Sequence, residues 1–509
     1  MEVEIKDLVF GKSDITRVIG CEVTDTEVHL FIQNKLGELE TITKPFKWWI
    51  LSDRNLSPKW TLLAGGLHFK YLRDLDSEKE FLTLRNRLRG MDHFVCNNKK
   101  EQAMVRHGFT YFKDIEPIEI PTLAFDIETT GLYHNAEAKV LLISNTFRKN
   151  QYVERKLFSI DEYESQKEMI DAWTEWVRQV NPAILLGHNI YSFDLPYLNF
   201  VAERAKTSLK LGRDGSPTKF NNYESKFRKD QSQNFIYKEA KIFGREIVDT
   251  LFLSIKYDVA AKKYDSYGLK NIIKQEKLEK PNRTFYDASK IRDNYNDPVE
   301  MEKIKAYCID DADDALALFD LMIPAQFYFN RSVPKPLQMV INSATGSPIN
   351  SILVRSYLQH GHSIPKADLK KKYPGAISFG AAGIYKNCIK WDVASLYPSI
   401  ILSYKIWDRA KDPKEHFYKM VEYFTEERLH NKKLASELNS KHHKDLSESQ
   451  KIVVNSAYGL LGASGLCFNS PANARLVAEK GRDILKSAIK WATGKDYEID
   501  EEKEEDESV

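Results

Sequence analysis

Two carboxylates set two residues apart within an apolar stretch constrain this chain more than any other feature. In TLAFDIET, residues 122–129, Asp126 and Glu128 alternate with apolar neighbours, so in a strand both acids project from one face of a sheet and can converge on one metal pair. A D-x-E pair alone is a weak signal, and its weight comes from its surroundings. From Pro121 to about residue 325, strands TLAFDIET and PAILLG mix with the amphipathic helical patterns IDAWTEWVRQV and KIKAYCIDDADDALALFDLM, which predicts an α/β unit. Ahead of it, short alternating runs such as EVHLFIQ, KWWIL and LHFKYL predict a small β-rich unit without a chemical motif. Behind it, the Pro-punctuated RSVPKPLQM leads to a third region, where CIKWDVASLYPSII reads as an apolar strand and residues from about Phe417 to Trp491 as helices.

The 509 residues hold three or four compact units, so one small binding module is excluded. With 42% hydrophobic and 29% charged residues, most of the chain should fold into packed cores. Mean hydropathy is −0.47. No apolar run approaches the ~18 residues of a membrane span, and the N-terminus MEVEIKDLVF has no apolar core like that of a signal peptide. These features predict a soluble intracellular protein with no membrane partner. The five cysteines are scattered, which predicts reduced thiols and no structural zinc. The net charge of +2 hides an asymmetry, because the last twelve residues, EIDEEKEEDESV, hold eight acids and one lysine, leaving 74 basic against 65 acidic residues in 1–497. A mildly basic body with an acidic, disordered tail suits a polyanionic partner.

Two further acidic positions accompany the pair. In GHNIYSFDLPYL, Asp194 follows strand AILLG, with Pro196 in the first turn of the next helix; read alone, Asp194 is a helix cap. In YCIDDADDALAL, Tyr307 and Asp311 are four apart and share a helix face, whereas Asp310, Asp313 and Asp314 point elsewhere and read as a solvated face. Taken together, D-x-E, N-x-x-x-F-D and Y-x-x-x-D, in this order and separation, resemble the Exo I, Exo II and Exo III motifs of DnaQ-like 3′ to 5′ exonucleases. The resemblance implies an RNase H-like, DnaQ-type fold in which Asp126, Glu128, Asp194 and Asp311 hold two Mg²⁺ ions, for which Mn²⁺ can substitute, and Tyr307 orients the attacking water. Phosphodiester hydrolysis suits such a set because two hard cations ~3.5–4 Å apart take oxygen ligands, one activating water and one stabilising the leaving oxygen. Asn189 matches the Exo II asparagine and would contact the substrate strand beside Phe193; read alone, it is a turn residue. The segments GREIVDTLFLSIKY and DSYGLKNIIKQ resemble those between Exo II and Exo III in family B DNA polymerases, which implies a proofreading exonuclease.

WDVASLYPSII resembles motif A of that family. An aspartate ending an apolar strand is a costly buried charge unless it meets a cation. By the resemblance, Asp392 would bind both catalytic Mg²⁺ ions with help from the Val393 carbonyl. Ser395, Leu396 and Tyr397 would contact the incoming dNTP, Tyr397 stacking under its sugar; the alternative for Tyr397 is a core residue beside Pro398. KIVVNSAYG matches motif B, and its Lys451, Asn455 and Tyr458 present a cation, an amide and a ring from one helix face. Upstream, Arg428 and Lys432 resemble the R-x-x-x-K of the fingers that grips phosphates, or else form a solvated basic helix. FGAAG, with Gly380, sits where the family has a linker motif that touches the template.

The chain is thus identified as similar to the N-terminal part of a family B replicative DNA polymerase, an α/β (α+β) multidomain protein. The expected units are a β-rich N-terminal domain (1–119), the exonuclease (120–325), a linker returning to the N-terminal domain (326–375), partial palm (376–412), short helical fingers (413–463), an incomplete second palm segment (464–497) and the acidic tail (498–509). No D-T-D-S hairpin of motif C follows motif B. The expectation is therefore one subunit of a split polymerase, whose partner polypeptide supplies motif C and the thumb. It would act in the cytoplasm, of a host cell if viral, on primer-template DNA and the single-stranded primer 3′ end, with a sliding clamp as a further partner. The alternatives are a stand-alone 3′ to 5′ exonuclease with a vestigial palm and a non-catalytic DNA-binding accessory protein; the four carboxylates argue against the last. Between Arg204 and Lys241, ten basic and four acidic residues interleave with Phe220, Tyr223, Phe227, Phe235 and Tyr237. That pattern suits single-strand binding through Lys226, Arg228 and Lys229, or else an exposed loop insertion.

Overall fold

The computed structural model describes residues 3–229, 233–259, 261–376, 383–389, 392–393 and 395–494. Val18–Val23, Glu27–Gln33 and Leu39–Pro45 form an antiparallel meander. Next to it in sequence, Trp48–Ser52 lies between Tyr71–Leu75 and His93–Phe94 in a second sheet with Thr61–Leu62 at its edge. Helix Lys99–His107 joins this part, started by the Asn98 side chain accepting from Lys100 and Glu101 N–H groups and ended by Gly108 at φ 73°.

The central sheet has the spatial order Tyr152–Ser159, Val140–Lys149, Thr122–Thr129, Ile184–Gly187, Glu246–Asp249. Its first three strands pair antiparallel, and Ile184–Gly187 runs parallel to both of its neighbours. Alternation along Thr122–Thr129 sorts the two faces. Phe125 packs 5.3 Å from Trp173 of helix Gln166–Val180, and Asp126 and Glu128 therefore face the opposite layer. That layer is the long helix Pro298–Asn330, started by Asp297, which accepts from the Val299 and Glu300 N–H groups.

One buried core joins the meander to the central sheet, from Val18 to Ile341. A second joins Trp49 and Leu51 to helices Gly346–Gln359, Leu396–Ser403, His416–Glu437, Lys441–Gly462 and Pro471–Thr493. The chain returns to its N-terminal strands through bridges at Ala64/His362 and Phe69/Ile364. His416–Glu437 and Lys441–Gly462 form a hairpin pinned by Asn431, which hydrogen-bonds His443 at 2.8 Å and Gln450 at 3.4 Å. Tyr328 of the long helix meets His442 of this hairpin at 3.2 Å. Among the described residues no helix is long and apolar enough to cross a membrane.

Two expectations are corrected. Among the described residues of the stretch expected as a strand through 388–401, none is in a strand: Asp392 and Val393 are exposed, and Leu396–Ser403 is a helix. Pro398 sits in that helix's first turn, where its missing N–H costs nothing, and Ile400 and Ile401 fill the second core. Asp392 is therefore not a buried charge that needs a cation to offset desolvation. Asp313 and Asp314 are not solvated either, being only 6% and 1% exposed, because the middle of the long helix is covered on all sides. Gly380 and the tail from Glu498 lie outside the described residues.

Candidate active site

Three elements deliver the acids. Strand Thr122–Thr129 presents Asp126 opposite Ser144 and Glu128 opposite Leu142. Ile184–Gly187 ends beside that strand, and Gly187 permits the approach, since a Cβ there would stand 2.9 Å from the Phe125 carbonyl oxygen. The turn that follows passes Asn189 at φ 66° into helix Asp194–Arg204, bringing the buried Asp194 back toward Asp126. The turn is held by Asp249, whose carboxylate accepts from the N–H groups of Asn189 at 2.9 Å, Tyr191 at 3.3 Å and Leu251 at 2.9 Å. Phe193 occupies the cap position of that helix, so Asp194 is its first residue and not its cap. The long helix supplies Tyr307, Cys308 and Asp311, and the Cys308 carbonyl accepts from the Ser144 hydroxyl at 2.7 Å.

Carboxylate oxygens of Asp126 and Glu128 and the Cys308 sulfur all lie within 4.8 Å of one another, a group that could hold a metal ion. Cys308 Sγ stands 3.8 Å from Asp126 Oδ2. Sequence reasoning missed Cys308, although it follows Tyr307 and shares an i, i+3 face with Asp311. The electrostatics fit a cation. Burial, then the charges of Asp194, Glu128 and Asp311, push the Asp126 carboxyl well above its ordinary range. Burial and the Asp311 charge push Glu128 up to about 8, and burial takes Asp194 to about 7. Hard oxygen donors crowded to this degree suit Mg²⁺ or Mn²⁺.

Asp311 has cationic partners that the sequence did not reveal. Lys270, from helix Leu269–Gln275, lies 3.6 Å from Asp311 Oδ2 and donates to the Tyr307 hydroxyl. Arg283 contacts Asp311 Oδ1 and bonds Asp314 at 2.7 Å. Asp313 is bound by Thr146 at 2.6 Å, Arg155 at 2.8 Å and Lys280. His188 spans Thr250 and the Tyr267 carbonyl, and burial lowers it to about 4, so it acts here as a neutral strut.

The residues expected to bind nucleotide are partly gathered. The Tyr397 and Tyr458 rings are 4.3 Å apart, the Tyr458 hydroxyl lies 3.5 Å from that of Tyr373, and Arg428 donates to the Ser395 hydroxyl. Leu396 is half-buried against the second core. Lys451 pairs with Glu448 at 3.4 Å, while Lys432 and Asn455 project into solvent. In the basic segment, Ser225–Arg228 pairs with Asn234–Tyr237. Phe227 stacks on Phe252 at 4.1 Å and is buried, as is Tyr237, so neither ring is free to meet a base. Lys226, Arg228, Tyr223 and Ile236 face outward, and Lys229 lies over the Tyr267 ring at 4.9 Å, near the helix that carries Lys270.

A mixed five-stranded sheet with this carboxylate group under a crossing helix defines an RNase H-like, DnaQ-type exonuclease unit. Residues 79–272 match the family described as DNA polymerase family B, exonuclease domain. The chain is 26% identical over 409 residues to a DNA polymerase of Pyrococcus glycovorans, spanning 72% of this chain and 50% of that protein. It is 24% identical over 413 residues to a DNA polymerase of Thermococcus gorgonarius, spanning 73% and 51%. The chain thus spans about half the length of the curated relatives it matches. Its fold is similar to that of the family B DNA polymerase from the hyperthermophilic archaeon Pyrobaculum calidifontis, with a TM-score of 0.74 at 17% identity over 93% of this chain and 71% of that one. The chain carries a family-B-like DNA polymerase N-terminal and exonuclease region, homologous to those of archaeal family B polymerases.

Proposed function

We propose that this chain removes nucleotides from the 3′ end of a DNA primer by two-metal hydrolysis, as the proofreading part of a family B DNA polymerase. The observation that carries the reading is the convergence of Asp126 and Glu128 on one point, with Asp194 and Asp311 near enough to raise the Asp126 pKa. These four acids would hold the metal pair, which when bound supplies water activation and stabilisation of the leaving oxygen. The Tyr307 oxygen, positioned by Lys270, accepts from the attacking water and sets its line of approach. Asn189 and Phe193, on the turn before Asp194, flank the substrate strand.

The basic hairpin holds the frayed primer end through its outward face. Reversing charge at Lys226, Arg228 and Lys229 is expected to weaken single-strand binding and reduce the slope of log affinity against log salt by about 2. Fluorescence anisotropy of a labelled oligonucleotide across a salt series checks this, and an unchanged slope contradicts it.

Nucleotidyl transfer belongs to the same proposal. Asp392 and the Val393 carbonyl would hold Mg²⁺, and Ser395, Leu396, Tyr397, Arg428, Lys432, Lys451, Asn455 and Tyr458 would receive the dNTP. The proximity of Ser395, Tyr397, Arg428 and Tyr458 supports this reading. A second polypeptide would contribute the further aspartate that this chemistry requires. The exposed Asp392, outside any strand, favours as a second reading an exonuclease that works alone. A labelled primer-template with Mg²⁺, with and without all four dNTPs, separates them. Shortening that dNTPs do not reverse fits both readings, extension after adding a candidate partner chain selects the first, and extension by this chain alone contradicts the need for a partner.

A further inference from the structure

Arg283 is the most deeply buried cation in contact with the acidic site, its side chain only 1% exposed, and its donors are committed in three directions. Nε bonds Asp314 Oδ2 at 2.7 Å, Nη1 donates to the Thr284 carbonyl at 2.8 Å, and Nη2 contacts Asp311 Oδ1. The loop that carries it is itself fastened to the helix, because Thr284 N–H donates to Asp310 at 2.7 Å and Lys280 reaches Asp310 and Asp313. Asp311 and Asp314 stand at i and i+3 on the long helix, so one planar guanidinium spans both. Lys270, on the other oxygen of Asp311, is of a different kind: its side chain is 41% exposed, and it sits 3.6 Å away on a flexible stem.

We propose that Arg283 is the positioning residue of Asp311. By fixing Oδ1 it turns Oδ2 alone toward a divalent cation, and Lys270 is the counter-charge that gives way. This rests on the exonuclease reading and adds to it a residue outside the three motifs. A lysine at 283 keeps the positive charge but cannot hold two carboxylates in one plane, so its cost falls on geometry and not on attraction for the metal.

The test compares Arg283→Lys and Asp314→Asn with the unmodified chain, reading Mn²⁺ affinity by electron paramagnetic resonance and primer-shortening turnover at saturating Mn²⁺. Expected for Arg283→Lys is Mn²⁺ affinity within about threefold of the parent and turnover lower by about 10- to 100-fold. Asp314→Asn, which leaves the Arg283 contact to Asp311 in place, should stay within about threefold in both. Turnover of Arg283→Lys near that of the parent, or an equal loss in Asp314→Asn, overturns the proposal. If Arg283→Lys does not fold, the charge-balanced pair Arg283→Gln/Asp314→Asn replaces it: turnover stays low if Arg283 positions Asp311, and recovery to the parent rate refutes it. A parent chain that binds Mn²⁺ but shortens no primer removes the exonuclease reading itself, a result distinct from a parent and an Arg283→Lys chain that are equally active.

Discussion

Replacing Asp126 and Glu128 together with alanine is expected to lower Mg²⁺-dependent primer shortening by at least about 10³-fold, equivalent to about 4 kcal/mol of barrier. In the same variant, the melting temperature of the metal-free protein at about pH 8 should rise. Both effects have one source. The two acids converge within 4.8 Å in a buried site whose other acids, Asp194 and Asp311, add to the repulsion, so the arrangement serves cation binding at the expense of stability. Removing the pair removes the oxygen donors and the repulsion at once. Initial rates on a labelled primer and a melting scan of the same preparation check the two halves. A variant that still shortens primers within tenfold of the parent rate contradicts the assignment of these donors.

The second large effect is the dependence of stability on pH and metal. A carboxyl whose pKa is higher in the folded than in the unfolded chain holds its proton more tightly when folded. Its contribution is fully present below the unfolded pKa and is lost as pH rises through the folded value. For Glu128 that window runs from 4.5 to about 8, and for Asp194 from 3.8 to about 7. With one pKa unit worth about 1.4 kcal/mol, the two groups together are expected to cost the metal-free protein on the order of 6 kcal/mol as pH is raised from about 5 to about 8. Excess Mg²⁺, which binds the ionised acids of the folded state alone, should flatten this slope. Melting scans across that range in EDTA and in Mg²⁺ measure it; equal slopes in the two conditions contradict the account.

What the sequence revealed, and what it did not, divides along the distance over which side chains act. Asp126 and Glu128 are two apart on a strand, and Tyr307 and Asp311 four apart on a helix, so local geometry alone places each pair on one face. The same periodicities marked the central strands and the helices that cover them. Lys270, Arg283 and Asp249 left no such mark, because each reaches the site from a separate element through a tertiary contact. Asp313 and Asp314 were misread because a helix covered all round gives its acids side-chain partners instead of water. Around Asp392 the apolar run fits either a strand or a helix, and Pro398 in a first turn with Ile400 and Ile401 behind it favours the helix. The Phe227 and Tyr237 rings looked available to bases by composition, yet both are spent on anchoring the hairpin to Phe252.

The most direct test of the central claim follows a 5′-labelled primer incubated with this chain in Mg²⁺, beside the Asp126→Ala/Glu128→Ala variant and an EDTA control. The account predicts a ladder of products shortened one nucleotide at a time from the 3′ end, absent in both controls. An intact primer, internal cuts, or a ladder that the variant also produces would contradict it.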